Sequence, residues 1–372
     1  MSAPVAPRGA DVVIIGGGLV GLATAAALGE RGANVILVED RRKGMASTAA
    51  AGMLAPAMER GAAGSAAHAF ALAARDLYPS YLDALAEVTG IRVPLNHEGV
   101  LQLIVDENDA DARSREIESG ADAGSEWLDS EQLRSLEPEL APIPGAVLYP
   151  RDGSVDNVVL VRALEALVAA SPSVSVIDGC AKALELDGQH TGVVLASGAR
   201  LESPTVVLAA GAWSPLLDGL PRTIPVEPVR GQAISLSSAP LRHVTYGSHG
   251  YIVPRQGSRS VVGATMEHVG FDTGVTAETA TRLATAASEI APAFARARTL
   301  GHWSGLRPVT PDLLPIIGRD PSHPALIYAC GHSRNGILLA PLTGECVADL
   351  ATGSAPPLDI TPFAVTRFAP KE

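Results

Sequence analysis

The chain has 372 residues, of which 47% are hydrophobic, and its formal net charge is −12 at pH 7. This length is enough to bury one large core or two domains. The negative charge argues against a nucleic-acid partner, because contacts to phosphates need a basic surface. Three cysteines, Cys180, Cys330 and Cys346, follow no metal-binding or disulfide spacing. That pattern is typical of small buried thiols in a reducing cytoplasm.

The most apolar run, residues 12–28, could be mistaken for a membrane segment. It contains four glycines and is bracketed by Asp11 and Glu30, whereas a membrane span needs roughly 20 apolar residues. The basic flank of a signal peptide is reduced to Arg8. We therefore expect a soluble cytoplasmic protein with no membrane partner, and no spacing of His, Cys or acidic residues predicts a metal.

The N-terminal elements follow a strand–helix–strand pattern. Residues 11–15 (DVVII) predict a buried strand, which the turn GGGLVG joins to an Ala- and Leu-rich helix ending near Arg31. Residues 34–38 (NVILV) predict the second strand, which ends at Glu39. A β-α-β unit with a tight glycine turn is typical of a Rossmann-type fold.

The glycine turn predicts a dinucleotide site. Gly16 permits the tight turn, Gly18 lets a pyrophosphate approach the backbone, and Gly21 allows the helix to pack closely on the strand. The phosphates then meet free N–H groups at the positive end of the helix dipole. Glu39 can accept both ribose hydroxyls of an adenosine and would repel a 2′-phosphate, which disfavours NADP. The motif alone leaves FAD and NAD open.

The next part of the chain alternates loops, helices and strands. Residues 46–56 form a loop of small residues, and helical patterns follow from about 66 to 89. Residues 97–105 predict a strand, and the acidic stretch 106–139 has helical spacing that is typical of a solvated face.

A capped helix begins the middle of the chain. Asp156 and Asn157 predict the cap of an amphipathic helix. Predicted strands follow at 174–177, at 191–196 and at 205–213, where TVVLAAGAW ends a buried strand in glycine.

A β-rich region begins at residues 226–236. Within it, residues 251–255 and 260–265 flank a Gly-containing loop and predict a hairpin. Glycine-rich loops return at 303–312 and 329–341, and a closing helix follows.

These elements predict an α/β fold in which a Rossmann-type cofactor-binding domain is interrupted by a β-rich (α+β) substrate-binding domain. We assign 9–90, 150–220 and 303–372 to the cofactor domain, and 91–149 and 221–302 to the substrate domain.

Three features favour a flavin over NAD. The glycine motif lies within the first 25 residues. The strand TVVLAAGAW follows much later, as in many flavoproteins. The glycine-rich loop HSRNGILLAP leads into the closing helix, whose N-terminus could stabilise an anionic reduced flavin at its N1–O2 edge.

Seven motifs and the closing segment carry a resemblance that covers nearly the whole chain: DVVIIGGGLVGL, STAAAGMLAP, YIVPR, VVGATME, WSGLRPVTPD, PIIGR, GHSRNGILLAPLTGE and PPLDITPF. With them the chain resembles the D-amino-acid oxidase family of flavoproteins, and within it the glycine oxidase group that supplies thiazole synthesis in the thiamine pathway. The predicted fold is accordingly D-amino-acid oxidase-like.

The resemblance implies a reaction. A hydride passes from the Cα of a neutral amine to flavin N5, the imine hydrolyses to a 2-oxo acid and ammonia, and oxygen takes the electrons as hydrogen peroxide. Glycine is the expected substrate, with sarcosine and small D-amino acids beside it. Because the loop Gly305–Pro308 contains no cysteine, we expect non-covalent FAD. Family members assemble as homo-oligomers, and the same is expected here.

The substrate side needs a partner for a carboxylate, and the planar fork of arginine suits one. By resemblance, Arg307 binds the substrate carboxylate, Arg334 lines the same pocket, and Tyr251 donates its hydroxyl to the carboxylate. Met53 and Met266 would line the pocket near the substrate side chain.

By the same resemblance and motifs, a larger set of residues is expected to contact the cofactor. His249 and His332 are interpreted as positioning residues, since the flavin chemistry needs no general base. The predicted cofactor residues are Gly16, Gly18, Leu19, Val20, Gly21, Glu39, Asp40, Ala46, Ser47, Thr48, Ala51, Gly52, Met53, Ala181, Gly211, His332, Ser333, Arg334, Asn335, Gly336, Ile337 and Leu338.

Two other functions stay open at this point. One is a D-amino-acid dehydrogenase that passes electrons to a quinone. The other is a flavin-binding protein with a structural or sensory role and no turnover.

Overall fold

A computed structural model describes residues 9–59, 64–120, 122, 124–186 and 191–368. The predicted domain segments also include 60–63, 121, 123, 187–190 and 369–372, which lie outside the described residues.

The described strands are, in chain order, β1 (Val12–Ile15), β2 (Val35–Glu39), β3 (Met53–Leu54), β4 (Leu95–Asn96), β5 (Val100–Ile104), β6 (Glu126–Asp129), β7 (Gly145–Tyr149), β8 (Gly153–Val155), β9 (Val174–Asp178), β10 (Ala181–Leu186), β11 (Thr191–Leu195), β12 (Arg200–Glu202), β13 (Thr205–Leu208), β14 (Glu227–Leu236), β15 (Val244–Gly247), β16 (Gly250–Arg255), β17 (Arg259–Gly263), β18 (Thr299–Val309), β19 (Ile316–Arg319) and β20 (Leu326–Cys330). The α-helices are α1 (Leu19–Glu30), α2 (Ala46–Ala49), α3 (Ala66–Thr89), α4 (Glu107–Glu118), α5 (Ser130–Leu136), α6 (Asn157–Ala170), α7 (Ala277–Ile290) and α8 (Gly336–Thr352). Short 3-10 helices lie at Gly211–Leu216, Pro292–Arg296, Thr361–Phe363 and Val365–Phe368.

The sheet that contains β1 and β2 has six strands, in the order β19-β20-β13-β1-β2-β9. Its neighbours are parallel except β19, which runs antiparallel to β20. Because parallel strands are covered on both faces, they are expected to be continuously apolar, and all four residues of β1 are buried. The predicted Rossmann-type unit, and with it the α/β fold class, is confirmed.

Alternate side chains of β1 enter two different cores. Val12 and Ile14 pack with helices α1, α3, α6 and α8 on one face. Val13 and Ile15 pack on the other face against β10–β12, for example with Val193. The sheet therefore lies between a helical layer and a small three-stranded sheet, β10-β11-β12.

The second large sheet has eight strands, in the order β18-β14-β17-β16-β15-β5-β7-β6. Helix α7 covers one face, where Leu283 and Ala287 pack with Ile234 and Ile252.

The opposite face of this sheet lies against the loop that follows α2. Ala51 and Ala55 of that loop pack with Ala233 and Val253 of the sheet. The segment 46–56, predicted as a loop, instead contains the short helix α2 and the strand β3, and the residues that follow each of them pack against this sheet.

The predicted local elements agree with the structure at several places. Asp156 caps α6, since its Oδ1 accepts the Val159 N–H at 3.2 Å. The predicted hairpin is confirmed as β16 and β17, with Tyr251 opposite Gly263.

The domain boundary predicted near residue 303 falls inside a strand. Strand β18 pairs with β14 from Thr299 to Val309, so residues 303–309 belong to the eight-stranded sheet. The pattern WSGLRPVTPD predicts a glycine-rich loop. In the structure, however, its residues up to Val309 are the last part of strand β18. The domain boundaries, this one included, stay predictions.

We expect Gly21→Ala to lower the free energy of unfolding by about 3 kcal/mol, because a Cβ at Gly21 would overlap the Gly16 carbonyl oxygen. Urea denaturation of the FAD-loaded protein measures this change. The matched control is Gly192→Ala, since a Cβ there would be 3.7 Å from its nearest neighbours. We expect the control to change stability by less than about 1 kcal/mol. Equal effects of the two substitutions would contradict the packing role of Gly21.

Candidate active site

The glycine turn brings the start of α1 directly against the parallel sheet. Gly16 has φ +110°, which favours glycine, and a Cβ there would lie 2.5 Å from the Ala209 carbonyl oxygen. A Cβ at Gly21 would overlap the Gly16 carbonyl oxygen. Two glycines without side chains are therefore required at this crossing of helix and strands.

The first turn of α1 has the features of an anion site. Gly18 is the N-cap residue and supplies no side chain to its own helix. The Leu19 N–H donates to Ser47 Oγ at 2.9 Å, so the α2 segment lies beside the turn. Because the first N–H groups of a helix have no acceptor within the helix, this turn can receive a pyrophosphate.

Glu39 lies at the end of β2, beside the same turn. Its side chain is buried, and burial raises the pKa of its carboxyl, while the Arg41 guanidinium opposes the rise. A Cβ at Gly17 would lie 2.6 Å from Glu39 Cδ, so a larger residue at position 17 would displace this carboxylate. The placement fits a carboxylate that accepts ribose hydroxyls.

A single cavity of about 1100 Å³ joins this region to the eight-stranded sheet. It is lined by residues of both sheets and of the loop between them. The predicted site residues that line it are Gly16, Gly18, Leu19, Val20, Glu39, Asp40, Ala46, Ser47, Ala51, Gly52, Met53, Ala181, Gly211, Tyr251, Met266, Arg307, His332, Ser333, Arg334, Asn335, Gly336 and Ile337.

Three predicted cofactor residues do not form part of the cavity wall. Gly21 lies within the helix–strand contact. Thr48 is exposed, and its hydroxyl lies 3.4 Å from the Met45 carbonyl oxygen. Leu338 is buried in the helical core. Thr48 and Leu338 were predicted because they belong to continuous motifs. In a helix, however, successive side chains point to different faces, so not every residue of such a motif faces the cavity.

Arg307 extends from β18 across β14. Its Nη1 donates to the Thr265 carbonyl oxygen at 2.9 Å, and a Cβ at Gly231 would overlap its guanidinium. Burial lowers the pKa of Arg307, while the nearby Tyr251 hydroxyl favours its charged form. Among the described residues, no carboxylate forms an ion pair with this guanidinium. It is a half-buried cation that can receive an external carboxylate.

Arg334 lies just before α8 and faces the same part of the cavity. Its Nη2 donates to Glu59 Oε1 at 2.7 Å and to Tyr246 Oη at 3.3 Å. The Tyr246 and Tyr251 rings stack with centroids 6.2 Å apart. Burial acts against the charged form, but Glu59 and Tyr246 raise the pKa of Arg334 overall.

Glu59 and Tyr246 were not predicted from the sequence. Burial raises the pKa of Glu59, and Arg334 acts in the opposite direction. Glu59 is separated from its partner Arg334 by 275 positions, so no local pattern indicates the pair. The only local signal is an acid that follows the small-residue loop.

The two histidines of the motifs have different environments. His332 is buried, its Nε2 lies 3.2 Å from Thr343 Oγ1, and burial lowers its pKa to about 4. It is therefore neutral near pH 7 and suits a positioning role. His249 is exposed, beside Ser248, and Met266 at the cavity is also largely exposed.

The described residues show neither a metal cluster nor a membrane-spanning helix. They contain no group of His, Cys, Asp and Glu side chains that could hold a metal ion. Among the described helices, none is both long and apolar enough to cross a membrane.

The residues of the cavity fit FAD. The glycine turn leaves the first N–H groups of α1 open beside the sheet, and a Cβ at position 16 or 17 would collide with Ala209 or with Glu39 and disturb this geometry. Glu39 provides an acceptor for an adenosine ribose, and the cavity continues from there to Arg307. The arrangement can hold an extended dinucleotide together with a small carboxylate.

Comparison with known proteins gives concordant results. Residues 11–350 match the DAO family, described as FAD dependent oxidoreductase. The chain is 35% identical to the glycine oxidase of Geobacillus kaustophilus, over 97% of this chain and 98% of that protein. The crystal structure of glycine oxidase from Geobacillus kaustophilus superposes with a TM-score of 0.90 at 34% identity, covering 98% of this chain and 100% of that one.

A longer relative also matches. The bifunctional protein ThiO/ThiG of Trichormus variabilis is 35% identical to this chain over an alignment that covers 96% of this chain and 55% of that longer protein. Family match, sequence identity and superposition agree with the glycine turn and the cavity: the chain belongs to the DAO family of FAD-dependent oxidoreductases.

Proposed function

We propose that the protein is an FAD-dependent amine oxidase that converts glycine, water and oxygen to glyoxylate, ammonia and hydrogen peroxide. Sarcosine and small D-amino acids are proposed as further substrates. The observation that carries this proposal is Arg307, a half-buried guanidinium in the cavity that forms no ion pair with a described carboxylate. The similarity to glycine oxidases supports glycine as the substrate.

The proposed role of the protein in the reaction is to bind and orient the substrate. FAD, when bound, supplies a flavin that accepts a hydride from the substrate Cα and passes the electrons to oxygen. Arg307 binds the carboxylate through two parallel N–H donors, and Tyr251 donates its hydroxyl to the same group. This fixes the orientation of the Cα and lowers the entropy cost of reaching the reactive geometry.

The charges of the cavity also favour the neutral amine that hydride transfer needs. Arg307 is a cation without a described carboxylate partner, whereas Glu59 balances the charge of Arg334, and a like charge lowers the pKa of a nearby ammonium. The substrate ammonium can then release its proton to solvent without a dedicated base. This is consistent with His332, whose pKa is lowered to about 4 and which hydrogen-bonds within the protein.

The remaining site assignments are part of the proposal. Met53 and Met266 border the space for the substrate side chain, and both line the cavity. The cavity-lining residues of the glycine turn, of the 46–53 segment and of the 331–337 loop contact FAD, which is held without a covalent bond.

Several broader assignments rest on resemblance. We propose that the reaction supplies thiazole synthesis in the thiamine pathway, supported by the similarity to the ThiO/ThiG protein. A cytoplasmic location, a homo-oligomeric assembly and the division into cofactor and substrate domains are proposed on the same basis as in the sequence analysis.

Anaerobic mixing with a panel of amino acids tests the proposed function. We expect glycine, sarcosine and D-alanine to bleach the flavin absorbance, because each presents one carboxylate and a small substituent to the cavity. Admission of oxygen should restore the oxidised spectrum and release one hydrogen peroxide per turnover. Bleaching without oxygen uptake would instead select a dehydrogenase that uses a quinone. No bleaching by any of the three would select a non-catalytic flavin protein.

Replacement of Arg307 tests the carboxylate site. We expect Arg307→Ala to raise the KM for glycine by about 30-fold or more, because the carboxylate loses a charged partner worth about 2–4 kcal/mol. Arg307→Lys should give an intermediate KM, since one charge remains without the bidentate fork. The control is Arg200→Ala, which removes an exposed arginine paired with Glu185. An unchanged KM in folded Arg307→Ala, judged by circular dichroism, would refute the assignment.

A further inference from the structure

Three charged side chains meet in the substrate part of the cavity. Arg307, Arg334 and Glu59 all line it. Arg334 and Glu59 form an ion pair of 2.7 Å, with side-chain exposures of 34% and 17%. Glu59 also acts electrostatically on Arg307 and on Tyr251. The carboxylate of Glu59 is therefore close enough to influence any anion bound at Arg307.

Two other acids of this region form ion pairs with arginines that do not line the cavity. Glu267 lines the cavity, but its carboxylate forms an ion pair with Arg230. Asp152 is buried and pairs with Arg75 at 2.9 Å. Of the described acids in this region, Glu59 is the one paired with an arginine of the substrate cavity. Without it, two cations would face one substrate carboxylate.

We propose that Glu59 determines the charge specificity of the site. By engaging Arg334, it leaves one arginine for an external anion and limits the cavity to amino acids with a single carboxylate. This inference rests on the proposed function only in that Arg307 takes the substrate carboxylate. Glu59 does not touch the reacting atoms in this role, and it acts through Arg334 as a positioning and specificity residue.

The physical reason is a balance of charges in a half-buried space. A second carboxylate on the ligand would meet the Glu59 carboxylate and would have to displace it from Arg334. Like charges at short range are a strong means of rejecting a wrong ligand. A neutral side chain at position 59 removes the repulsion and frees Arg334, so amino or imino dicarboxylates such as iminodiacetate should then be accepted.

Two unreactive ligands of different charge test this inference. Acetate carries one carboxylate and malonate carries two. Isothermal titration calorimetry on the FAD-loaded protein gives the Kd of each. In Glu59→Gln, we expect the ratio of the malonate Kd to the acetate Kd to fall about tenfold or more relative to the wild type. An unchanged ratio in a folded Glu59→Gln protein would overturn the proposal.

A matched control separates this effect from the general loss of a negative charge. Glu345 is also a partly exposed glutamate in an ion pair, with Arg31 at 2.8 Å, and it does not line the cavity. We expect Glu345→Gln to keep the wild-type ratio. A similar change of the ratio in Glu345→Gln would show that net charge, and not the Arg334 pair, sets the preference.

Variants of Arg334 complete the test and do not depend on the folding of Glu59→Gln. In Arg334→Gln, Glu59 remains without its partner, so malonate should weaken more than acetate. In the double variant, the gain in malonate binding should disappear, because the freed cation is absent. A gain that persists in the double variant would refute the role of Arg334.

These measurements are independent of turnover. If glycine failed to reduce the flavin but the ligand ratio changed as expected, the proposed function would fall and the charge rule would stand. If glycine were oxidised and the ratio did not change, the reverse would follow.

Discussion

The first turn of α1 lies against the sheet without any intervening side chain, and the placement of the whole site depends on this contact. Gly16 and Gly21 remove the Cβ atoms that would separate helix and strands. A second close contact continues the constraint, since a Cβ at Gly344 of α8 would lie 2.8 Å from the Ala23 backbone of α1. Helix α8 is thereby fixed relative to the glycine turn, and so is Arg334, which lies two residues before the helix begins.

The substrate part of the cavity also depends on a position without a side chain, which is Gly231. Strands β14 and β18 pair with Val229 opposite Arg307 and Gly231 opposite Gly305. The Arg307 guanidinium occupies the space above Gly231, where any Cβ would overlap it. The glycine therefore lets a long cationic side chain lie along its own sheet, where its Nη1 donates to the Thr265 carbonyl oxygen.

Local patterns in the sequence were sufficient for much of the fold. Periodicity and capping predicted β1, α1 and the Asp156 cap, because these features depend on neighbours within a few residues. The pair Glu59–Arg334 and the contact of Arg307 with Thr265 depend on chain segments that only the tertiary fold brings together. The loop predicted at 303–312 was wrong as far as Val309 for a related reason: glycine and proline in WSGLRPVTPD indicate a loop, whereas pairing with β14 keeps the segment extended to Val309.

The position of Glu59 follows from the scaffold that precedes it. Asp152 is buried. Its Oδ2 accepts hydrogen bonds from the Ala57 and Met58 N–H groups, and its Oδ1 accepts one from Nη1 of Arg75 on α3. A buried ion pair of this kind contributes little net stability, because desolvation offsets the attraction, but it can specify one arrangement. Here it fixes the chain up to the residue before Glu59. In a chain of net charge −12, the group formed by Arg307, Arg334 and Glu59 can still attract an anion, because charges within a few ångströms outweigh distant ones that solvent screens. Asp152 thus contributes to the local charge balance, because it fixes the segment that places the Glu59 carboxylate beside Arg334.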